Sequence, residues 1–191
     1  MSAVPVALAI RRAIVAPPVH EAVNVDYSIR AARESDADAI HRLISEHLAE
    51  GRLLPRSRDE IRSRVHRFIV ASDEAGIVAC ADLAPLSRRV AEVRSLVVAD
   101  EARSRGICRR LVQELERRAL AAGFATLCAF THAPGYFVKM GFSVVPHTWL
   151  PEKIEADCRA CAQFRRCGQY AVMLPLVASP VARVPAESAH A

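Results

Sequence analysis

The spacing of apolar residues changes along the chain, and each change predicts an element. Residues 27–31 read as a short strand. Ser35 then offers an N-cap, and Ile40, Leu43, Ile44 and Leu48 recur at helical spacing up to Gly51, a C-terminal stop. Ser57-Arg58-Asp59-Glu60 matches a capping box and predicts a second helix. Residues 68–71 and 77–83 flank a polar turn and read as a hairpin, and 90–98 is a longer strand with β-branched residues. After a polar loop at 100–106, Cys108, Leu111, Val112, Leu115 and Ala119 share one helix face, closed by Gly123. Strands at 124–130, 142–145 and 170–174 and a short helix at 134–140 complete the set. A run of hairpins followed by a strand–loop–helix–strand unit predicts a mixed α/β (α+β) fold.

Composition bounds this picture. The chain has 191 residues, which suits one domain with tails. The working domain is placed at 26–177, after an N-terminal tail or extension at 1–25 that carries Pro5, Pro17 and Pro18. Residues 178–191, rich in Ala, Pro and Ser, read as a disordered tail. With 52% hydrophobic and 25% charged residues, a wholly disordered or fibrous chain is excluded. No apolar run is long enough for a transmembrane helix. The N-terminus lacks the order of a signal peptide, so a cytoplasmic location and no membrane partner are expected.

Charge narrows the ligand class. The net charge is +5, and because Lys139 and Lys153 are the only lysines, arginine supplies nearly all the cations. Arginine favours planar, bidentate contact with carboxylate or phosphate. The cations are scattered and aromatics make up only 5%, so nucleic acid is not the expected partner. Residues 92–111 then concentrate the chemistry: a strand feeds a tight loop with Gly106, and an amphipathic helix follows. A helix start exposes unpaired N–H donors, and Arg103, Arg105 and Arg109 add charge, which together make a phosphate-type site. The same pattern also fits a plain strand–helix connection with arginines facing solvent.

The run Arg103-x-x-Gly106-x-Cys108 resembles the pyrophosphate loop of the GNAT superfamily of N-acetyltransferases, with Cys108 in place of the usual final glycine or alanine. Tyr136-Phe137-x-Lys139-x-Gly141-Phe142 resembles the later helix–strand junction of that superfamily. A narrower resemblance, over about 54–176, is to the short stand-alone N-acetylglutamate synthases. It rests on Leu54-Pro55-Arg56-Ser57, Cys80-Ala81-x-Leu83, Ala91-Glu92-Val93-Arg94-Ser95-Leu96, Leu150-Pro151-x-Lys153 and Asp157-Cys158-x-x-Cys161-x-x-Phe164-x-x-Cys167.

The resemblance implies the GNAT fold, a mostly antiparallel mixed sheet flanked by helices. It also implies acetyl-CoA as co-substrate, L-glutamate as acceptor, N-acetylglutamate as product and a homodimer by analogy. Acetyl-CoA would meet Leu96, Val97 and Val98 and the loop residues Arg103, Ser104, Arg105, Gly106, Ile107, Cys108 and Arg109. Glu92 is the expected base. Arg56, Arg94, Ser95 and Lys153 are the expected substrate contacts. The alternatives are another amine acceptor in the same fold, or an acetyl-CoA-binding module without turnover.

In this resemblance the usual acid is a tyrosine four residues before the junction glycine, where Phe137 stands. Tyr136 is one helical step away, on a different face. Cys158, Cys161 and Cys167 are one ligand short of an all-cysteine zinc site, with His147 as a conceivable fourth. A structural loop with free thiols is the favoured alternative, and acetyl transfer itself requires no metal.

Overall fold

Four helices and seven strands form where these periods place them, within a few residues. A fifth helix is new. The computed structural model describes residues 27–50, 53–161 and 163–176, so the expected N-terminal tail or extension at 1–25 and C-terminal tail at 178–191 lie outside the described residues. The strands are β1 (Ser28–Ala31), β2 (Phe68–Asp73), β3 (Gly76–Pro85), β4 (Val90–Val98), β5 (Thr126–Thr131), β6 (Ser143–Val145) and β7 (Tyr170–Pro175). The helices are α1 (Ala37–Glu46), α2 (Arg58–Ser63), α3 (Ile107–Ala121), α4 (Pro134–Val138) and α5 (Pro151–Lys153). The last runs directly into a π turn, Ile154–Cys158.

The strands form one sheet in the order β1-β2-β3-β4-β5-β7-β6. Every pairing is antiparallel except β4 with β5, the pair joined by the α3 crossover. Alternation along β5 gives the sheet two apolar faces. Leu127 and Ala129 join the main core, where Ile40 and Ile44 of α1 and Leu111 and Leu115 of α3 pack. Cys128 points the other way, into a smaller cluster with Val90, Val145, Leu150 and Ala171.

Three local expectations change. Ser35 does not cap α1. A 3-10 turn at Glu34–Asp36 precedes the helix, and the Asp36 carboxylate accepts the Arg33 amide at 2.7 Å while Arg30 grips it at 2.6 and 3.0 Å. Helix α1 also ends at His47, whose Nδ1 turns back to the Leu43 carbonyl at 2.8 Å, and Gly51 lies outside the described residues. Only half of the capping box at Ser57 forms. Its hydroxyl accepts the Glu60 amide at 3.1 Å, but the Glu60 carboxylate goes to Arg56 and Arg64 instead of back to the chain.

Two irregularities open the sheet. The β4–β5 pairing ends at Val93 opposite Ala129, although β4 continues to Val98 and β5 to Thr131. The strands therefore splay beyond that point. Just past it, the β3–β4 register shifts between Cys80 and Asp82, and β4 carries the extra residue. Ser95 takes a positive φ of 48° there, as a bulge residue can.

Candidate active site

The splay forms one wall of a cavity of about 650 Å³. Leu96, Val97 and Val98 line it from β4, Phe130 and Thr131 from β5, and the start of α3 closes one end. The local sequence explains that end. Gly106 is the residue before α3 and sits at φ 76°, a left-handed conformation that glycine adopts without strain. A Cβ there would meet nothing within 4 Å, so backbone conformation, not crowding, selects glycine in the described chain. Ser104 is also left-handed, at φ 65°. The loop and the start of α3, from Gly106 to Cys108, thus line the cavity end, and a helix start favours an anion.

Of the expected loop contacts, Arg103, Ser104, Gly106, Ile107 and Cys108 line the cavity, and Arg105 and Arg109 do not. Arg103 pairs with Asp100 at 2.9 Å. Cys108 is half-buried, and Ile107 instead takes the core position expected of it. The Cys108 thiol lies beside the Tyr136 hydroxyl. Burial pushes both groups above their ordinary values, and the Cys108 contact raises Tyr136 further. Tyr136 thus lines the cavity beside the helix start. Phe137 is buried and stacks edge-on against Phe142, with ring centroids 5.2 Å apart.

The other end holds a ring of charges. The buried Glu92 carboxylate accepts Lys153 Nζ at 2.7 and 2.9 Å and Arg94 Nε at 2.5 Å. Asp157 Oδ2 accepts the same Lys153 Nζ at 2.9 Å and also Arg94 Nη2. Each carboxylate touches both cations, so the four formal charges alternate and cancel. Burial opposes ionisation of Arg94, but the Glu92 and Asp157 carboxylates outweigh it and raise its pKa. Burial likewise works against the Asp157 anion, and Lys153 and Arg94 outweigh that to hold its pKa below the usual carboxylate range. The Lys153 ammonium also lies 5.2 Å from the centre of the Phe130 ring, a cation–π distance.

Glu92, Arg94, Ser95, Lys153 and Arg56 all line the cavity. Arg56 donates to Glu60 at 3.0 Å and belongs to no other described ion pair. His47, Leu53, Leu54, Phe130 and Gln169 also line the cavity and were not anticipated, nor was Asp157 as a partner in the ring. The signal for Asp157 was its position four residues after Lys153, on one helix face.

The three cysteines of the string are free thiols. Cys158 and Cys161 are half-buried, Cys167 is exposed, and His147 binds the Gln169 carbonyl at 2.9 Å. Among the described residues no three His, Cys, Asp or Glu side chains converge as a metal site.

Comparison with known proteins places this geometry. Residues 64–144 match the model of the acetyltransferase (GNAT) domain. An uncharacterized N-acetyltransferase of Chlorobaculum tepidum is 32% identical over 151 residues, covering 79% of this chain and 97% of that protein. An amino-acid acetyltransferase of Ralstonia nicotianae is 32% identical over 126 residues, covering 65% of this chain but 28% of that longer protein. A structure of N-acetylglutamate synthase from Neisseria gonorrhoeae, complexed with coenzyme A and N-acetyl-glutamate, superposes with a TM-score of 0.72 at 24% identity. It covers 80% of this chain and 36% of that one. With the splayed strands, the bulge at Ser95 and the glycine-led helix α3 in one cavity, this chain belongs to the GNAT superfamily of N-acetyltransferases.

Proposed function

We propose that the protein transfers the acetyl group of acetyl-CoA to the α-amine of L-glutamate, giving N-acetylglutamate and CoA. The observation that carries this reading is the joining of two sites in one cavity. An anion-directed helix start lies at one end, and Arg56, Arg94 and Lys153 stand together at the other. The likeness to the amino-acid acetyltransferase of Ralstonia supports an amino acid as acceptor.

In this reading the phosphates of acetyl-CoA meet the first turn of α3, and the thioester lies along Leu96, Val97 and Val98. Amides freed by the strand splay polarise its carbonyl as an oxyanion site does. The two carboxylates of glutamate are met by Arg56 and by the free N–H groups of Arg94. The amine attacks the thioester carbon, the tetrahedral oxyanion collapses and the C–S bond breaks, and the second proton shed by the new amide nitrogen is taken up by the departing CoA thiolate. The ammonium must first lose a proton, and Glu92 takes it through water. Both Glu92 oxygens are engaged in the ring, so one Lys153 contact opens as the proton arrives. The thiolate is a good leaving group, and no side-chain acid is required.

The test is CoA-thiol release from acetyl-CoA with L-glutamate against a panel of amino acids and polyamines. Wild type is run beside Arg56→Ala and Arg94→Ala. Glutamate-dependent turnover that falls at least about tenfold in kcat/KM in each variant is the expected result. Turnover with a different amine would keep the transferase and overturn the acceptor. Acetyl-CoA binding without turnover of any amine would overturn the activity.

A further inference from the structure

We propose that Asp157 is the positioning residue for carboxylate recognition: it holds the Arg94 guanidinium and the Lys153 ammonium so that Arg94 presents its remaining N–H groups to the acceptor's carboxylate. This deepens the reading above and rests on it for the identity of the acceptor.

The geometry separates the two faces of the cation pair. Arg94 and Lys153 line the cavity, and Asp157 stands behind them, outside the lining. Its Oδ2 bridges Nη2 of Arg94 and Nζ of Lys153, so one atom sets the spacing of the two cations. Glu92 holds the neighbouring Nε of Arg94. A guanidinium gripped on Nε alone can swing about that bond, and a second grip on Nη2 removes the freedom. Arginine's fork recognises a carboxylate only when its plane is fixed. The arrangement therefore supplies preorganisation, which lowers the cost of binding without adding a contact to the substrate.

The support comes from a separate element. Glu92 and Arg94 belong to β4, whereas Lys153 and Asp157 lie on α5 and its π turn, 61 and 63 residues away. The turn is closed by the Arg159 amide bonding to the Ile154 carbonyl at 3.2 Å. A π turn inserts one residue into a helix and shifts the side-chain angle that follows. Lys153 and Asp157 nevertheless keep a direct contact of 2.9 Å. The half-exposed Asp157 is the member of the ring nearest solvent, with its side chain 38% exposed against 4–11% for the other three.

The experiment is a double-mutant cycle on the full chain with Arg94→Gln, Asp157→Ala and the pair, plus Asp157→Asn. Steady-state kinetics with L-glutamate are read beside calorimetric binding of glutarate, a dicarboxylate with no amine, and of acetyl-CoA. Asp157→Ala is expected to raise the glutamate KM and the glutarate Kd at least about tenfold, the size of one charge-assisted contact. In this variant kcat and the acetyl-CoA Kd stay within about twofold. Asp157→Asn recovers part of the loss, because its amide oxygen still accepts from Arg94 or Lys153. The double variant binds no worse than Arg94→Gln alone, since Asp157 acts through Arg94.

Additive losses, a fall in kcat equal to the rise in KM, or weakened acetyl-CoA binding would show a merely structural role and overturn the proposal. Absence of glutarate binding in wild type would overturn it as well. If wild type binds glutarate and the cycle is non-additive, but glutamate is not acetylated, the positioning role stands and the acceptor assignment falls.

Discussion

Replacing Lys153 by methionine isolates the energetic demand of the charge ring. Lys153 is 9% exposed and its ammonium makes three contacts, two to Glu92 and one to Asp157. Methionine keeps a flexible apolar stem of similar length beside Phe130, so little packing is lost. What remains is Glu92, 3% exposed, with Arg94 as its single partner in the ring. Breaking a buried pair by removing one partner typically costs about 3–5 kcal/mol, because the other charge is left undercompensated. Charge-assisted hydrogen bonds of about 1.5–3 kcal/mol each to two carboxylates lead to the same range.

In a domain of this size about 1 kcal/mol moves Tm by about 2–4 °C, so a drop of about 6–20 °C is expected. Urea and thermal unfolding, read by circular dichroism, measure it. Adding Glu92→Gln to Lys153→Met removes the stranded charge and should restore about 1–3 kcal/mol, although Glu92→Gln alone destabilises. A Lys153→Met variant within about 1 kcal/mol of wild type would refute the reasoning, as would a double variant less stable than Lys153→Met.

Gly106→Ala meets open space but must adopt φ 76°, so it should lose about 1 kcal/mol of stability and weaken acetyl-CoA binding, by thermal unfolding and calorimetry. Leu115→Ala, at a fully buried position on α3, should cost about 2.7–5 kcal/mol in urea unfolding with no change in acceptor preference. Glu114 is held at about 2, first by its hydrogen bond from Arg117 and then by Arg118. Its lowered pKa contributes stability that is present above the ordinary glutamate value and lost as pH falls towards 2. Glu114→Gln should therefore lower Tm at pH 6 and converge with wild type near pH 2, in a thermal scan series. Burial pushes the Cys80 and Cys128 thiols up to about 12, so thiolate is scarce at pH 8. Mass spectrometry after brief alkylation should find Cys167 labelled first and these two labelled only on unfolding.

The parts of the site that were legible in sequence are those made by neighbours along the chain. A β-branched strand, a glycine-led loop and an amphipathic helix specify the β4–α3 unit locally. The superfamily motifs then placed Glu92, Arg94 and Gly106 around one cavity. The bulge at Ser95 was not legible, because a non-glycine residue at positive φ leaves no mark in an apolar alternation. The ring was not legible either, because it joins β4 to a turn more than sixty residues on. Lys153–Asp157 carries the helical i,i+4 spacing, but the segment starts at Pro151 with no apolar period, so no helix was expected there.

The ring also changes how the positive balance of the chain bears on selectivity. A net charge of +5 suggests general attraction of anions. At the acceptor end, however, two carboxylates offset Arg94 and Lys153, so little net field remains there to draw an acid in. Recognition must then come from direction, through the fixed plane of Arg94 and the less encumbered Arg56 at the same wall. The α3 end works differently: the helix start and its dipole favour an anion there, and the Asp100 carboxylate paired to Arg103 of that loop is itself outside the lining. One cavity therefore separates an attractive end, suited to a multiply charged carrier, from a neutral and geometrically strict end, suited to choosing among small amines. That division follows from Glu92 and Asp157 standing where a cavity built only to attract anions would have left the cations unpaired.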